Sequence, residues 1–175
     1  MTNWFTYCPN CGASTLKKLN DNGQQCHSCR ATHYHHDSPC VGALIVKDDK
    51  VLLTKRAKAP FKGWWDVPGG FVNPGEHPVE ALKREMKEEL EIKITATQFL
   101  NAYPDVYGNH TGYGTLNMHF ICTLEGNPKK IDTEIAELKW FPLTKLPKKI
   151  AFANGQQAVK DLKKFKERKI QDERT

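Results

Sequence analysis

The chain of 175 residues contains no run of about 18 consecutive apolar residues, the length that a membrane-spanning helix needs. Residues 1–10 also lack the apolar stretch of a secretory signal. Both absences argue against a membrane partner, and we expect a cytoplasmic protein. With 39% hydrophobic residues, the chain is long enough for one domain of ordinary size and a small additional unit.

Net charge is absent from most of the chain. Residues 1–143 carry 16 basic and 16 acidic side chains, so the whole net charge of +6 lies in residues 144–175. Val159, Leu162 and Phe165 recur at helical spacing, which favours an amphipathic helix at residues 155–169 with its lysines in solvent. The alternative is a nucleic-acid patch, which we do not favour because stacking aromatic residues are not interleaved with the lysines.

Four of the six cysteines, at positions 8, 11, 26 and 29, follow the spacing C-x2-C-x14-C-x2-C. This spacing is typical of a structural zinc site with four thiolate ligands, here Cys8, Cys11, Cys26 and Cys29. In a chain without a secretory signal, zinc is favoured over two disulfides, and rubredoxin-like iron is a further alternative. So short a segment cannot bury enough surface to fold alone, so we predict a small zinc ribbon at residues 1–37.

The remaining cysteines and a histidine cluster fall outside that pattern. Cys40 and Cys122 are expected to be small buried residues rather than reactive thiols. His33, His35 and His36 follow the last cysteine pair, where a polar linker is favoured over another metal site.

The rest of the chain alternates strand and helix patterns. Short β-branched runs at residues 41–46 and 51–54 flank a polar turn, and later strands are predicted at residues 95–102, 117–124 and 136–141. Between them, Pro78 suits a first helical turn, and Val79, Leu82, Met86 and Leu90 form a buried helical stripe. This pattern indicates a mixed sheet between helices.

That helix also carries a cluster of like charges. Glu85, Glu88 and Glu89 lie three and four residues apart, so they are neighbours on one helix edge and repel each other. A divalent cation removes the repulsion, and Mg²⁺ commonly takes a few carboxylates and completes its shell with water and substrate phosphate. The alternative is a solvated acidic face.

Residues 70–92 read GFVNPGEHPVEALKREMKEELEI, which resembles the Nudix box, GX5EX7REUXEEXGU with U apolar. Eight of its nine specified positions are met, and Glu91 replaces the second glycine. The resemblance implies an α/β fold, the α/β/α sandwich with a mixed sheet, at residues 38–170, followed by a polar tail at residues 171–175. It also implies Mg²⁺ or Mn²⁺ held by Glu85, Glu88, Glu89 and the Gly69 carbonyl.

The resemblance implies roles for further residues. Arg84 would orient the glutamates and Arg56 would bind phosphate. The general base would be a carboxylate of the box or of a later loop, where Glu134 is the candidate and Glu137 the second choice. A purine would stack on aromatic residues such as Trp65, Tyr103, Tyr107 and Tyr113. Residues 108–114, which contain three glycines, would form a mobile loop that closes over the substrate.

A zinc ribbon ahead of a Nudix domain is similar to the NADH pyrophosphatase branch, which cleaves dinucleotide diphosphates. The SQPWPFP-type signature of that branch is absent, and residues 101–107 read NAYPDVY instead. We therefore expect hydrolysis of ADP-ribose or an NAD(H)-like diphosphate to AMP. The alternatives are a nucleoside triphosphate pyrophosphohydrolase and an RNA 5′ nucleotide-cap hydrolase. A homodimer is compatible with the sequence, which leaves the oligomeric state open.

Overall fold

The computed structural model describes residues 4–19, 22–108 and 113–172, and these divide between two compact units, Met1–Asp37 and Ser38–Thr175. The first unit is a three-stranded antiparallel sheet in the order β1 (Leu16–Lys18), β2 (Gly23–Cys26) and β3 (Thr32–Tyr34). Its buried side chains include Cys8 and Cys26 and the polar Gln24, whose amide bonds both backbone groups of Phe5. So little apolar burial leaves this unit dependent on something other than a hydrophobic core.

The second unit has a mixed sheet of seven strands. The main path runs β10-β5-β4-β9-β8, with β6 beside β5 and β7 beside β4. Strand β4 pairs antiparallel with β5 and parallel with β9. The strands are β4 (Ser38–Lys47), β5 (Lys50–Arg56), β6 (Trp65–Asp66), β7 (Gly69–Phe71), β8 (Lys93–Tyr107), β9 (Tyr113–Glu125) and β10 (Ile135–Pro142).

Alternation along the central strands builds a core on each face of the sheet. In β4, Ala43 and Ile45 belong to one apolar cluster and Leu44 to the other. The first cluster contains the buried stripe of helix α1 (Pro78–Leu90), and the second contains Val159 and Leu162 of helix α2 (Ala153–Asp172). The sheet thus lies between two helices, as expected for an α/β/α sandwich.

Helix α1 begins and ends with identifiable caps. Its N-cap is His77, whose Nδ1 accepts the Val79 N–H at 3.2 Å, and Pro78 follows in the first turn. At the other end, Glu91 adopts a left-handed conformation with φ of 56°, so the chain keeps the glycine-like exit without the glycine.

Helix α2 is longer than the sequence pattern suggested. It extends to Asp172, into the predicted polar tail at residues 171–175, of which residues 173–175 lie outside the described ranges. Val159 and Leu162 are fully buried, in agreement with the amphipathic reading. None of the described helices is long and apolar enough to cross a membrane.

Two smaller expectations have different outcomes. Cys40 and Cys122 are buried, and burial raises the pKa of their thiols to about 11 and about 12, which confirms small core residues. The linker expectation for His33 is wrong, because this residue lies in β3 with Nε2 3.3 Å from the Cys8 sulfur. The predicted mobile loop at residues 108–114 lies mostly outside the described residues.

Strands β4 and β5 diverge directly after their hairpin. They share only two residue pairs, Val46 with Val51 and Lys47 with Lys50. Beyond these pairs, β6 continues alongside β5 and β7 alongside β4, and the Pro68 carbonyl accepts a hydrogen bond from Ala43 of β4. This divergence opens the sheet on the side where the polar residues gather.

Candidate active site

A cavity of about 340 Å³ lies within the second unit, at the place where β4 and β5 separate. One end is rich in carboxylates and the other in aromatic and amide side chains. The lining residues include Arg56, Lys58, Asp66, Gly69, Gly70, Phe71, Glu85, Glu89, Tyr107, Asn117, His119, Asp132, Glu134, Phe152 and Asn154.

Arg84 organises the carboxylates of helix α1. Its Nε and Nη2 each bond one oxygen of Glu76 at 2.9 Å, and its Nη1 bonds Glu85 at 2.6 Å and Glu88 at 3.2 Å. These charge-assisted bonds lower the pKa of Glu76 to about 2 and raise that of Arg84. All three guanidinium nitrogens of Arg84 thus donate to glutamates of the box, which suits an orienting role.

The three glutamates are not equivalent. The Glu85 side chain is 16% exposed and lines the cavity, whereas Glu88 is 59% exposed and is absent from the lining. Space for Glu85 comes from Gly70, because a Cβ atom there would overlap the Glu85 carboxylate. The glycine that opens the box motif is therefore required by close approach of a side chain.

Glu89 and His119 each have a buried side-chain atom without a hydrogen-bond partner among the described residues, and Glu89 is the acidic one. Its Oε2 is buried and has no hydrogen-bond partner among the described residues. Burial, reinforced by the charges of Glu85, Asp132 and Asp66, raises its pKa to about 8, and a backbone hydrogen bond at Gly69 only partly offsets this. A buried carboxylate facing other carboxylates is the kind of oxygen set that a hard divalent cation fits.

A loop before β10 adds two acids to this end. Its backbone is tied to the end of α1, because Lys129 N–H donates to the Leu90 carbonyl and Ile131 N–H to that of Glu89. The ties place Asp132 and Glu134 in the cavity lining, where Glu134 pairs with Lys58 at 3.1 Å. Sequence reasoning missed Asp132, since nothing in the local sequence distinguishes it.

Arg56 and Asp66, which also line the cavity, form a partly buried ion pair. The Arg56 Nη1 lies 2.9 Å from Asp66 Oδ2, while Nε donates to the Pro60 carbonyl. Burial raises the pKa of Asp66 to about 6, although Arg56 acts to lower it. The predicted phosphate-binding Arg56 thus lines the cavity, held by an acid that sequence reasoning did not select.

The predicted base-stacking residues separate in the structure. Tyr107 lines the cavity, with Phe71, Phe152 and Tyr113 as ring neighbours. Trp65 instead packs edge to face on Phe141 in the second core cluster. Tyr103 donates its hydroxyl to Asp161 at 2.9 Å, outside the lining. Neither residue belongs to the cavity lining, so we do not carry their predicted stacking role into the proposals below.

A chain of hydrogen bonds links His119 and Asn154 of the cavity lining to Asp105. His119 Nε2 lies 3.0 Å from Asn154 Oδ1, and Asp105 accepts both the backbone N–H and the side-chain amide of Asn154. Burial lowers the pKa of His119 to about 4, which keeps the ring neutral. Gly42 makes room for this ring, because a Cβ there would lie 2.5 Å from His119 Nδ1.

The first unit holds a separate ligand cluster. The sulfurs of its four cysteines lie within 4.8 Å of one another, with Cys8 and Cys29, and Cys11 and Cys26, 3.7 Å apart. A tetrahedron with metal–sulfur bonds near 2.3 Å has edges of about 3.8 Å, whereas a disulfide needs about 2.05 Å. The Thr15 hydroxyl and nearby backbone groups lower the pKa of Cys26 to about 5. The cluster is consistent with a zinc ribbon.

A family model described as NUDIX domain matches residues 36–162. The NAD-capped RNA hydrolase NudC of Vibrio atlanticus is 29% identical over 148 residues, which cover 84% of this chain and 53% of that protein. The ADP-ribose pyrophosphatase of Methanocaldococcus jannaschii is 35% identical over 133 residues, covering 76% of this chain and 77% of that protein. The chain spans about half the length of the NudC relatives that it matches.

Solved structures match the fold. A NUDIX hydrolase from Nitrosomonas europaea superimposes with a TM-score of 0.68 at 28% identity, covering 88% of each chain. A MutT NUDIX hydrolase from Burkholderia pseudomallei gives 0.67 at 29% identity, covering 73% of this chain and 98% of that one. These neighbours confirm the expected sandwich with its mixed sheet.

Proposed function

Since the chain belongs to the Nudix family and is a Nudix hydrolase, we propose that it hydrolyses a nucleoside diphosphate linked to a second group, such as ADP-ribose or an NAD(H)-like dinucleotide. The products are AMP and a second phosphorylated fragment. The observation that carries this proposal is the buried, unpartnered Glu89 oxygen beside Glu85, on a cavity that Arg56 also lines.

The carboxylate end fits Mg²⁺ or Mn²⁺ because Glu85 and Glu89 offer oxygens in a region where their own charges are unfavourable. Glu88 and the Gly69 carbonyl complete the proposed ligand set. The metal, when bound, neutralises phosphate charge and lowers the pKa of a bound water.

The remaining roles fall to the chain's own residues. Arg84 keeps Glu85 and Glu88 oriented through its hydrogen bonds. Arg56 binds the diphosphate, because its Nη2 has no described protein partner while Asp66 holds its other end. Glu134 accepts the proton of the attacking water, and it is preferred to Glu137 because only Glu134 of the two lines the cavity.

A Mg²⁺-dependent assay of ADP-ribose, NADH, NAD⁺, diadenosine polyphosphates and nucleoside triphosphates, with products separated by chromatography, tests the proposal. We expect AMP from ADP-ribose or a dinucleotide. Pyrophosphate release from triphosphates with ADP-ribose and NADH untouched would contradict it. Lys58 makes that outcome worth measuring, because it brings a second cation to the lining.

A second candidate is removal of a nucleotide cap from RNA 5′ ends. It is favoured by the similarity to proteins named NAD-capped RNA hydrolase, which covers 84% of this chain in the Vibrio atlanticus protein. In this case binding of capped RNA should be much tighter than binding of the free dinucleotide and should weaken steeply with salt. Equal kcat/KM for capped RNA and free dinucleotide at every salt concentration would remove this candidate.

For the first unit we propose a structural Zn²⁺ held by Cys8, Cys11, Cys26 and Cys29. Four cysteine ligands leave no position for a substrate, so this ion supports folding. A cytoplasmic location and a homodimer are separate proposals that remain from the sequence. Light scattering of the purified protein measures the oligomeric state.

A further inference from the structure

Four aromatic side chains form a continuous row, hereafter the aromatic row: Phe61, Phe152, Tyr107 and Phe71. The last three line the cavity, and Phe61 contacts Phe152 beside it. Phe61 meets Phe152 edge to face at 5.0 Å, and Phe152 stacks on Tyr107 at 5.6 Å with an angle of 18° between the rings. Tyr107 in turn meets Phe71 edge to face at 5.7 Å. The two end members, Phe61 and Phe71, are 39% and 38% exposed, so the row presents apolar ring surface to solvent.

Phe152, at the centre of this row, is held in an unfavourable backbone conformation. Its φ is 49°, and that of Phe61 is 60°, in the left-handed region that bulky side chains rarely adopt. Such outliers persist where the surrounding structure imposes them, and they cluster at sites that hold ligands. The two strained residues touch each other, and Phe152 lines the cavity, which is a reason to look for a ligand there.

Hydrogen bonds on both sides hold the Phe152 backbone in place. Ala151 N–H donates to the Trp65 carbonyl at 2.7 Å, and Asn154 donates twice to Asp105. Trp65 therefore acts on the cavity through its backbone, although its ring lies in the core. Because these ties precede binding, the Phe152 ring needs little further ordering when a ligand stacks on it.

The charged neighbour of the row is Arg56. Its guanidinium carbon lies 5.1 Å from the centre of the Phe152 ring, and its Nη1 is bonded to Asp66 of the cavity wall. A ring-binding face and an anion-binding group are thus adjacent, as the base and the phosphate are adjacent in a nucleotide. This pairing fits a nucleotide better than a peptide or a lipid, which do not generally carry an aromatic ring next to a phosphate.

We propose that the nucleobase of the substrate stacks on Phe152 in the aromatic row, while Arg56 binds the phosphate next to it. The inference rests on the proposed function, and it makes the base-bearing half of the substrate the part that sets affinity. Stacking on an aromatic face tolerates different bases. The row should therefore discriminate nucleotides from sugar phosphates more strongly than it discriminates one base from another.

The test measures binding of AMP and of ribose 5-phosphate by calorimetry in the presence of Mg²⁺, together with the kinetics of ADP-ribose hydrolysis. The main variant is Phe152→Gly, because glycine adopts the positive φ without strain and the fold should survive. Phe152→Trp keeps a stacking face. Phe99→Ala is the matched control, since Phe99 is 54% exposed and packs on Phe120 outside the cavity lining.

We expect Phe152→Gly to weaken AMP binding by about 5- to 30-fold and to raise KM for ADP-ribose similarly, with kcat changed less than about 3-fold. Ribose 5-phosphate binding should not change, Phe152→Trp should retain AMP affinity, and Phe99→Ala should behave as wild type. Unchanged AMP affinity, or an equal loss for AMP and ribose 5-phosphate, overturns the inference. So does a wild-type protein that binds both ligands equally.

The two proposals fail separately. If AMP binding depends on Phe152 but no diphosphate is hydrolysed, the proposed function is wrong and the stacking site stands. If ADP-ribose is hydrolysed with the same KM by wild type and Phe152→Gly, the stacking site is wrong and the function stands.

Discussion

The sulfur ligands of the first unit come from two C-x2-C turns, whereas the buried carboxylates of the second unit come from one helix packed into a hydrophobic core. The four sulfurs lie within 4.8 Å of one another, and two pairs have the 3.7 Å spacing that a tetrahedral site requires. The carboxylates do not enclose a common point in this way. Glu85 and Glu89 line an open cavity, and Glu89 Oε2 has no hydrogen-bond partner among the described residues. The first cluster would complete the shell of the proposed zinc alone, and the second would leave positions for water and phosphate.

The two units differ in whether the hydrophobic core supports the ligand cluster or the ligand cluster replaces the core. In the first unit the ligands replace a core, so the proposed zinc supplies the folding free energy. In the second unit the core supports the carboxylates, so we expect this unit to fold without the proposed cation and to tolerate the repulsion that raises the pKa of Glu89. Mutations at the two sites should therefore separate stability from activity.

The largest effect is expected from Cys8→Ser in the first unit. Structural zinc sites in small domains contribute about 10 kcal/mol or more of apparent binding free energy, and losing one ligand should release the ion and unfold residues 1–37. Elemental analysis and amide exchange of this segment measure both changes. Cys122→Ser, in the other unit's core, is the control that should keep the zinc. Purified, unchelated wild type without stoichiometric zinc would contradict this half of the comparison.

The next effect is on turnover. Glu89→Gln removes a metal-held charge and should lower kcat by at least about 10²-fold while leaving the second unit folded. Steady-state kinetics and thermal unfolding check the two statements. The control is Glu80→Gln on the same helix, whose carboxylate pairs with Lys83 and lies outside the lining. Near-normal turnover of Glu89→Gln would separate helix α1 from the catalytic site.

Burial of ionisable groups around the cavity should make the second unit sensitive to acid. The pKa of His119 is lowered to about 4 by burial, and the ordinary value is near 6.5. Between those values the unfolded chain binds more protons, so stability should fall as pH falls through this window, by up to about 3 kcal/mol.

The variant His119→Gln isolates the contribution of His119 to the pH dependence of stability, because the Gln amide can still donate to Asn154 but does not titrate. Glu89 acts in the opposite direction, since its raised pKa favours the metal-free fold as pH falls below about 8. The prediction therefore concerns the difference between wild type and His119→Gln in denaturant unfolding at pH 7 and pH 4.5. A difference that does not change with pH would show that His119 is not held neutral.

The smallest effect is expected where helix α1 ends. Glu91 has φ of 56°, which costs a residue other than glycine about 1 kcal/mol. Its exposed ion pair with Lys129 offsets part of this, and surface pairs contribute about 0 to 1 kcal/mol. Glu91→Gly should raise Tm by up to about 3 °C, and Lys129→Ala should lower it slightly. A destabilised Glu91→Gly protein would mean that the ion pair outweighs the strain.

The sequence predicted the features that depend on local periodicity and spacing. Helical spacing of Val79, Leu82, Met86 and Leu90 identified α1, whose start at Pro78 was predicted, and paired cysteines identified the four-sulfur cluster. These predictions succeed because side chains three and four residues apart on a helix are neighbours whatever the rest of the chain does. The contact of Arg84 with Glu88, four residues further on, follows from the same geometry, whereas its bond to the adjacent Glu85 does not.

Only the tertiary structure decided which residues meet across the cavity. The divergence of β4 and β5 brings Asp66 and Arg56 toward Glu89, and the loop tied to the end of α1 adds Asp132. It also separated Glu88, Trp65 and Tyr103 from the lining. Side-chain exposure in a strand depends on what packs against each face, and that is set by elements distant in sequence. For this reason local patterns identified the box helix, and only the folded chain revealed Phe152 and its strained backbone.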